Sequence, residues 1–292
     1  MGENMKEYKN NQELLEHLIS KGVIVENEQE ALAKFEKYTY YSIVNTYKEV
    51  FKDNGKYLDG VTFDEIYSLY EFDKNLKSIF LKYALEIELV IKALIANTIA
   101  EKYGVKNYLN RQSFDMNADT NSVKKLVYNI GEELTKNYGK HPAITHYQNM
   151  YGYVPPFVLV KVLTFGEISR YYGLLKQDDR QKISSYFKIS DKLLKQILVN
   201  LTLSRNISAH SDRLYTFHSK FLISYKFVDK GYNRSTASTN LYMLINCMKL
   251  LLDKEKYNEF QKQLNFEINN LSMKLKSISI KNILNIMGYP YE

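Results

Sequence analysis

The sequence predicts an all-α fold: a multi-helix bundle with an N-terminal helical extension and further helices at its C-terminal end. Three observations carry this. Only 4 Pro and 12 Gly occur in 292 residues, too few for the turn-dense chain of a β sandwich. Apolar residues return every three or four positions along most of the chain, the period of one helix face. Between Gly60 and Gly104 neither Gly nor Pro interrupts that pattern.

The elements follow in order. Leu14, Leu15, Leu18 and Ile19 predict a first helix that Gly22 ends. Asn27 followed by Glu30 is a capping-box pattern, opening a second helix through Ala31, Leu32 and Phe35. Tyr38, Tyr40, Tyr41, Tyr47 and Phe51 suit a packed helix pair, and Asn54-Gly55 and Asp59-Gly60 mark a loop. Thr62 and Glu65 then form the capping box of the longest helix, whose apolar positions run from Leu69 to Ile95. Unbroken, it spans about 60 Å at 1.5 Å per residue and makes a spine of the fold. Glu86, Glu88 and Lys92 interrupt its apolar surface. Glu88 and Lys92 stand four apart and can pair, either as a solvated surface pair or as a polar inlay facing a site.

Residues 104–121 are polar and aperiodic and are expected to form a long surface loop. Val123 to Leu134 restores a short helix, and His141-Pro142 and Tyr153 to Pro156 bracket another segment. A helix is expected through Phe157–Tyr172, interrupted at Phe165-Gly166-Glu167, and a short one after Asp178-Asp179. Ser190-Asp191 caps the next. Periodicity leaves 216–238 undecided between strand and helix edge. Leu241 to Leu251 makes one more helix, and 254–272 and 274–287 two further amphipathic ones. With no repeat, low-complexity tract or Pro/Ser linker, residues 1–292 are expected to form a single helical unit. Its parts are an N-terminal subdomain (1–60), a core (61–215) and a C-terminal extension (216–292).

The net charge of +7 and pI near 9.0 suit an acidic partner such as RNA. Abundant Lys, Asn, Ile and Tyr equally suit the coding bias of an A/T-rich genome. The 26 Tyr and 14 Phe could stack on bases, but such rings more often fill helix interfaces. A single cysteine, Cys247, excludes an intramolecular disulfide and fits a reducing compartment. No signal peptide or bilayer-length apolar run is visible, so a cytoplasmic protein without a membrane partner is expected.

No Gly-rich phosphate loop, G-x-S-x-G elbow, H-E-x-x-H or zinc-spaced Cys/His cluster occurs. No cofactor or metal site is therefore expected. His141 and His146 lack nearby carboxylates, His17 and His218 are isolated, and Cys247 lies on an apolar stripe. What remains is Leu203 to Tyr215, LSRNISAHSDRLY. Arg is scarce in this Lys-rich chain, occurring only at Arg111, Arg170, Arg180, Arg205, Arg213 and Arg234, yet two of the six flank His210. Arg is the cation whose planar fork suits phosphate. On a continuous helix Asn206 and His210 share a face. Such a trio suits metal-free RNA cleavage: His210 moves protons, Arg205 neutralises charge on the phosphorus, and Asn206 orients one or the other. The competing reading is a helix terminus at which Arg and His cap carbonyls.

Arg205-Asn206-x-x-Ala209-His210-x-x-Arg213-Leu214-Tyr215 resembles the RNxxAHxxRL(W/Y) signature of bacterial Abi-type abortive-infection proteins, the AbiD/AbiF group. It is an instance of the R-x4-H motif of HEPN-superfamily ribonucleases. Leu14–Asn27, Ala31–Tyr47, Glu88–Lys92 and Pro156–Glu167 are similar to further segments of that family, in order. Lys92, Phe157, Lys161 and Ser42 stand where the family commonly has Arg, Trp, Glu and Arg. The resemblance implies a HEPN-like core and a metal-independent endoribonuclease in phage defence. Arg205, Asn206 and His210 would be catalytic, and Arg213, Lys92 and Glu88 RNA-binding or supporting. It also implies a homodimer that joins two motifs, and an association with a small noncoding RNA in some relatives. The alternative is a catalytically silent module that holds a noncoding RNA and acts through a partner.

Overall fold

The computed structural model describes residues 8–210, 212–224 and 238–290. Among them are twelve α-helices and four two-residue strands, so the fold is all-α as expected. Two compact units divide the chain. One comprises 1–80, 207–217 and 258–292, and the other 81–206 and 218–257.

The first unit begins with α1 (Asn11–Ser20) and α2 (Glu28–Tyr38). Asn10 and Glu13 cap α1 reciprocally, and the Asn27 side chain accepts from the Glu30 amide at 3.1 Å. The aromatic run after α2 does not form a regular helix. It forms one π-helical turn, Tyr41–Asn45, and one 3-10 turn, Lys48–Phe51. Tyr40, Tyr47 and Phe51 are buried while Tyr41 is exposed. The expected loop at Asn54-Gly55 is a hairpin: β1 (Lys52–Asp53) pairs antiparallel with β2 (Lys56–Tyr57). Asn54 (φ 47°) and Gly55 (φ 80°) both take positive φ, the turn whose twist matches the strands.

The helix α3 (Phe63–Tyr103) is continuous over 41 residues and spans both units. Its capping box forms: Glu65 Oε2 accepts from the Thr62 amide at 3.0 Å, and Thr62 Oγ1 accepts from the Glu65 amide at 3.2 Å. The other Glu65 oxygen accepts from the amides of Lys276 (2.7 Å) and Ser277 (2.6 Å) and from the Ser277 hydroxyl (2.8 Å). One carboxylate thus caps α3 and pins the connection between α11 (Lys254–Lys274) and α12 (Ile280–Met287).

In the second unit the segment after α3 is pinned rather than loose. Arg111 donates to the carbonyls of Asp115, Met116 and Ala118, and Tyr108 and Phe114 are buried. There follow α4 (Thr120–Asn137) and α5 (Pro142–Tyr151), with Pro142 at the first helical position and Gly152 closing the helix in the left-handed region. The interrupted helix expected through Phe157–Tyr172 is two helices, α6 (Pro156–Leu159) and α7 (Phe165–Leu174), with the break just before Phe165. The physical reason is a second capping box, Thr164 with Glu167, which starts a new helix where an interruption was expected. After α8 (Gln177–Ser185) comes α9 (Asp191–Ala209), capped by Ser190 Oγ, which accepts from the Leu193 amide. The undecided segment contains β3 (His218–Ser219), which pairs antiparallel with β4 (Thr239–Asn240) just beyond it. The part of it from 225 to 237 lies outside the described residues. Buried along α10 (Leu241–Leu251), Cys247 is a core residue, and burial pushes its thiol up to about 12.

Candidate functional site

Arg205 and Asn206 occupy the last turn of α9, in the second unit. Buried Leu194, Ile197, Leu198, Leu201 and Ser204 place the opposite face of that helix in the core. The Arg205 side chain is 32% exposed. On α3, the Glu88 carboxylate is buried, with Oε1 2.7 Å from Lys92 Nζ and Oε2 3.8 Å from Arg205 Nε. The pair anticipated at Glu88 and Lys92 therefore exists, and both side chains are largely buried rather than solvated. Glu88 Oε2 and Arg205 Nε are both buried without a hydrogen-bond partner. An orphaned charged atom of each sign, facing one another just beyond hydrogen-bond length, is costly to maintain. It leaves the guanidinium tethered electrostatically but not saturated.

His210 is the first residue beyond α9 and belongs to the first unit. Its amide bonds the Ile207 carbonyl at 3.1 Å, the tightened geometry of a terminating helix. Asn206 and His210 are both exposed, but the continuous helical face expected to carry them stops one residue short of His210. Asp212, Leu214 and Tyr215 are bonded from α3. Asp73 Oδ1 accepts from the amides of Leu214 (3.0 Å) and Tyr215 (2.8 Å), and Oδ2 accepts from the Tyr47 hydroxyl (2.8 Å). Lys77 lies 3.7 Å from the same carboxylate and donates to the Asp212 carbonyl at 3.2 Å. Tyr47 and Tyr215 stack, with ring centroids 6.0 Å apart. Burial raises the Asp73 carboxyl above its ordinary range, although the Tyr215 amide, Tyr47, Lys77 and the Leu214 amide oppose it.

Arg213 donates to the Thr46 carbonyl at 2.9 Å. Both residues of that bond lie within the first unit. Asp73 was not anticipated, yet a signal existed. It stands four residues after Leu69 and three before Leu76, where the apolar stripe of α3 calls for packing, and it is fully buried. Asn200, also fully buried, donates from one amide nitrogen to the carbonyls of Gln196 and Phe221, 2.9 Å each. It ties the segment after β3 to α9.

A groove of about 580 Å3 runs beside α9 in the second unit. Lys195, Val199, Thr202 and Leu203 line it from the helix, with Lys125 and Arg170 opposite. Steps of three and four residues carry this face on to Asn206. The groove therefore follows the helix face that ends in the motif. Among the described residues no three His, Cys, Asp or Glu side chains cluster as metal ligands, and no helix is long and apolar enough to cross a membrane.

No curated protein and no solved structure matches the chain at a significant level. A family model does: the model described as Abi-like protein matches residues 33–216, from α2 through Asp73 and the motif helix to the residue after Tyr215. That is well over half of the chain, and the chain belongs to the Abi-like protein family.

Proposed function

We propose that this Abi-like protein acts in abortive-infection phage defence by cleaving RNA as a metal-independent, HEPN-type endoribonuclease. The observation that carries the reading is the mounting of Arg205. Its Nε faces a buried carboxylate oxygen that itself lacks a hydrogen bond, while about a third of the side chain reaches solvent. A guanidinium so held is oriented, yet keeps donors for a phosphate oxygen. His210 is exposed; α9 ends one residue before it, and Asp73 holds the amides of Leu214 and Tyr215.

In this reading neutral His210 accepts the proton of an RNA 2′-hydroxyl as that oxygen attacks the adjacent phosphorus. The bond to the 5′-oxygen breaks, and an imidazolium returns a proton to the leaving oxygen. The products are a 2′,3′-cyclic phosphate and a 5′-hydroxyl end. Arg205 balances charge on the phosphoryl oxygens, and Asn206 orients phosphate or imidazole. The chain carries one such motif, so the proposed working form is a homodimer whose second copy supplies the second histidine. Lys125, Arg170 and Lys195 along the groove suit the RNA backbone.

The test is incubation of purified protein with RNA in EDTA, followed by end-group analysis. Cleavage to cyclic-phosphate ends is expected, with loss of about a hundredfold or more in Arg205→Ala and His210→Ala. Unchanged cleavage in His210→Ala overturns the proposal. A discrete RNA that co-purifies uncut from about pH 5 to 9 selects the alternative, a silent RNA-holding module.

A further inference from the structure

A second basic feature lies in the first unit and shares no residue with the motif. It is a cleft of about 540 Å3 between the C-terminal turn of α1, the 3-10 turn and the β1–β2 hairpin. That volume falls within the range of about 300–1,000 Å3 common for small-ligand sites. Its lining carries His17, Lys21, Lys48, Lys52 and Lys56 against one carboxylate, Asp59. Glu49, 3.4 Å from Lys52, and Asp53, the cross-strand partner of Lys56, are further acids beside it. Two tyrosine rings, Tyr40 and Tyr57, complete the wall, and Lys52 Nζ lies 5.1 Å from the Tyr57 centroid.

The local folding explains why cations converge here. Each of three short connections turns through a glycine at positive φ: Gly22 (91°), Gly55 (80°) and Gly60 (76°). An added Cβ at any of them would meet nothing within 4 Å. The turns therefore shape the rim without filling the space above it. The antiparallel register of the hairpin pairs Lys52 with Tyr57, which sets a cation beside a ring on the strands themselves.

Like charges gathered around one space repel, and a chain keeps them at a cost unless an anion fills the gap. The field is registered by His17, whose imidazole is depressed by burial and then by Lys9, Lys21 and Lys48. Lysine ammonium groups are compact point charges suited to phosphate. Tyrosine rings offer stacking surface to a base.

We propose that this cleft binds a nucleotide through its phosphate, with Lys21, Lys48, Lys52 and Lys56 around the anion and the Tyr57 ring beside the base. The nucleotide is either free or the 5′-terminal residue of an RNA. The site takes its ligand independently of RNA cleavage at Arg205 and His210.

The experiment is calorimetric titration of the full chain with AMP, and separately with 5′-phosphorylated and 5′-hydroxyl forms of one tetranucleotide. Saturable binding of AMP or of the 5′-phosphorylated oligonucleotide is expected, and which of them binds identifies the source of the phosphate. Lys21→Glu/Lys56→Glu is expected to weaken it about tenfold or more, since two direct phosphate contacts are reversed in sign. Both side chains are exposed, and circular dichroism checks that the variant is folded. Lys124→Glu/Lys140→Glu, with the same change in net charge at exposed positions of the second unit, is expected to bind normally. Without any variant, the His17 ring resonances should shift to a higher apparent pKa on saturation with AMP. The proposal is overturned if neither phosphorylated probe binds below about 10 mM, or if a poly-glutamate peptide binds as tightly as AMP. Equal losses in the two double variants also overturn it.

Discussion

Asp73 holds the backbone that follows His210, accepting from two amides and a tyrosine hydroxyl inside the core. Asp73→Ala would leave those three donors buried and unpaired, at about 1–3 kcal/mol each before relaxation. A loss of about 3 kcal/mol or more in urea denaturation is expected. Asp73→Asn keeps the shape and removes the titration, so comparing it with the parent isolates the pH effect. Burial raises the Asp73 carboxyl in the folded chain, so the native state binds more protons than the unfolded one. The contribution of this group is therefore complete below its ordinary value near 3.8 and is lost as pH rises through the raised one. The stability of the parent relative to Asp73→Asn should fall from pH 4 upward. Glu65 has the opposite sign. Burial pushes it up, but the amides of Ser277, Lys276 and Thr62 outweigh that and hold it below its usual 4.5. Its contribution is present above 4.5 and is lost as pH falls through the lowered value, so Glu65→Gln should matter at neutral pH and much less in acid.

At the scale of elements, α3 and α9 carry the proposed site between them through Glu88 and Arg205. Glu88→Gln removes the partner of Lys92, whose side chain is only 14% exposed. Leaving a mostly buried cation unpaired costs about 3 kcal/mol. If Glu88 also aims Arg205, cleavage per folded molecule should fall in Glu88→Gln, with kcat affected more than KM. Equal kcat at matched folded fraction would reduce Glu88 to a structural role. The start of α7 offers a cleaner element test. Thr164→Ala removes one half of a capping box and should cost about 1 kcal/mol, with no effect on RNA cleavage. The elements legible in the sequence were those with an end signal of their own: the first helix closed by Gly22, the long helix between the Thr62 cap and Gly104, and the helix opened by Ser190-Asp191. The interruption in Phe157–Tyr172 falls just before Phe165 rather than on Phe165-Gly166-Glu167, because Thr164 and Glu167 cap a new helix there. The loop legible at Asn54-Gly55 is the two-residue turn of a hairpin, with positive φ at both residues.

For the whole molecule, the two units each hold part of the LSRNISAHSDRLY stretch: Arg205 and Asn206 in one, His210 and Arg213 in the other. Local sequence determined the helical class, the long α3, the start of α9 at Ser190-Asp191, and the presence of Arg205, Asn206 and His210 together. Periodicity, capping residues and the scarcity of arginine all act over a few neighbours. Only the tertiary structure decided what those residues face. It put the Glu88 carboxylate between Lys92 and Arg205, bonded Arg213 to the Thr46 carbonyl, and placed Asp73 against the amide of Leu214, 141 residues away in the chain. It also gathered His17, Lys21, Lys48, Lys52 and Lys56 around one cleft. The physical reason is range. A cap or an apolar stripe is written within one or two turns. A buried carboxylate finds its donors, and scattered lysines meet, only when packing brings distant turns into contact.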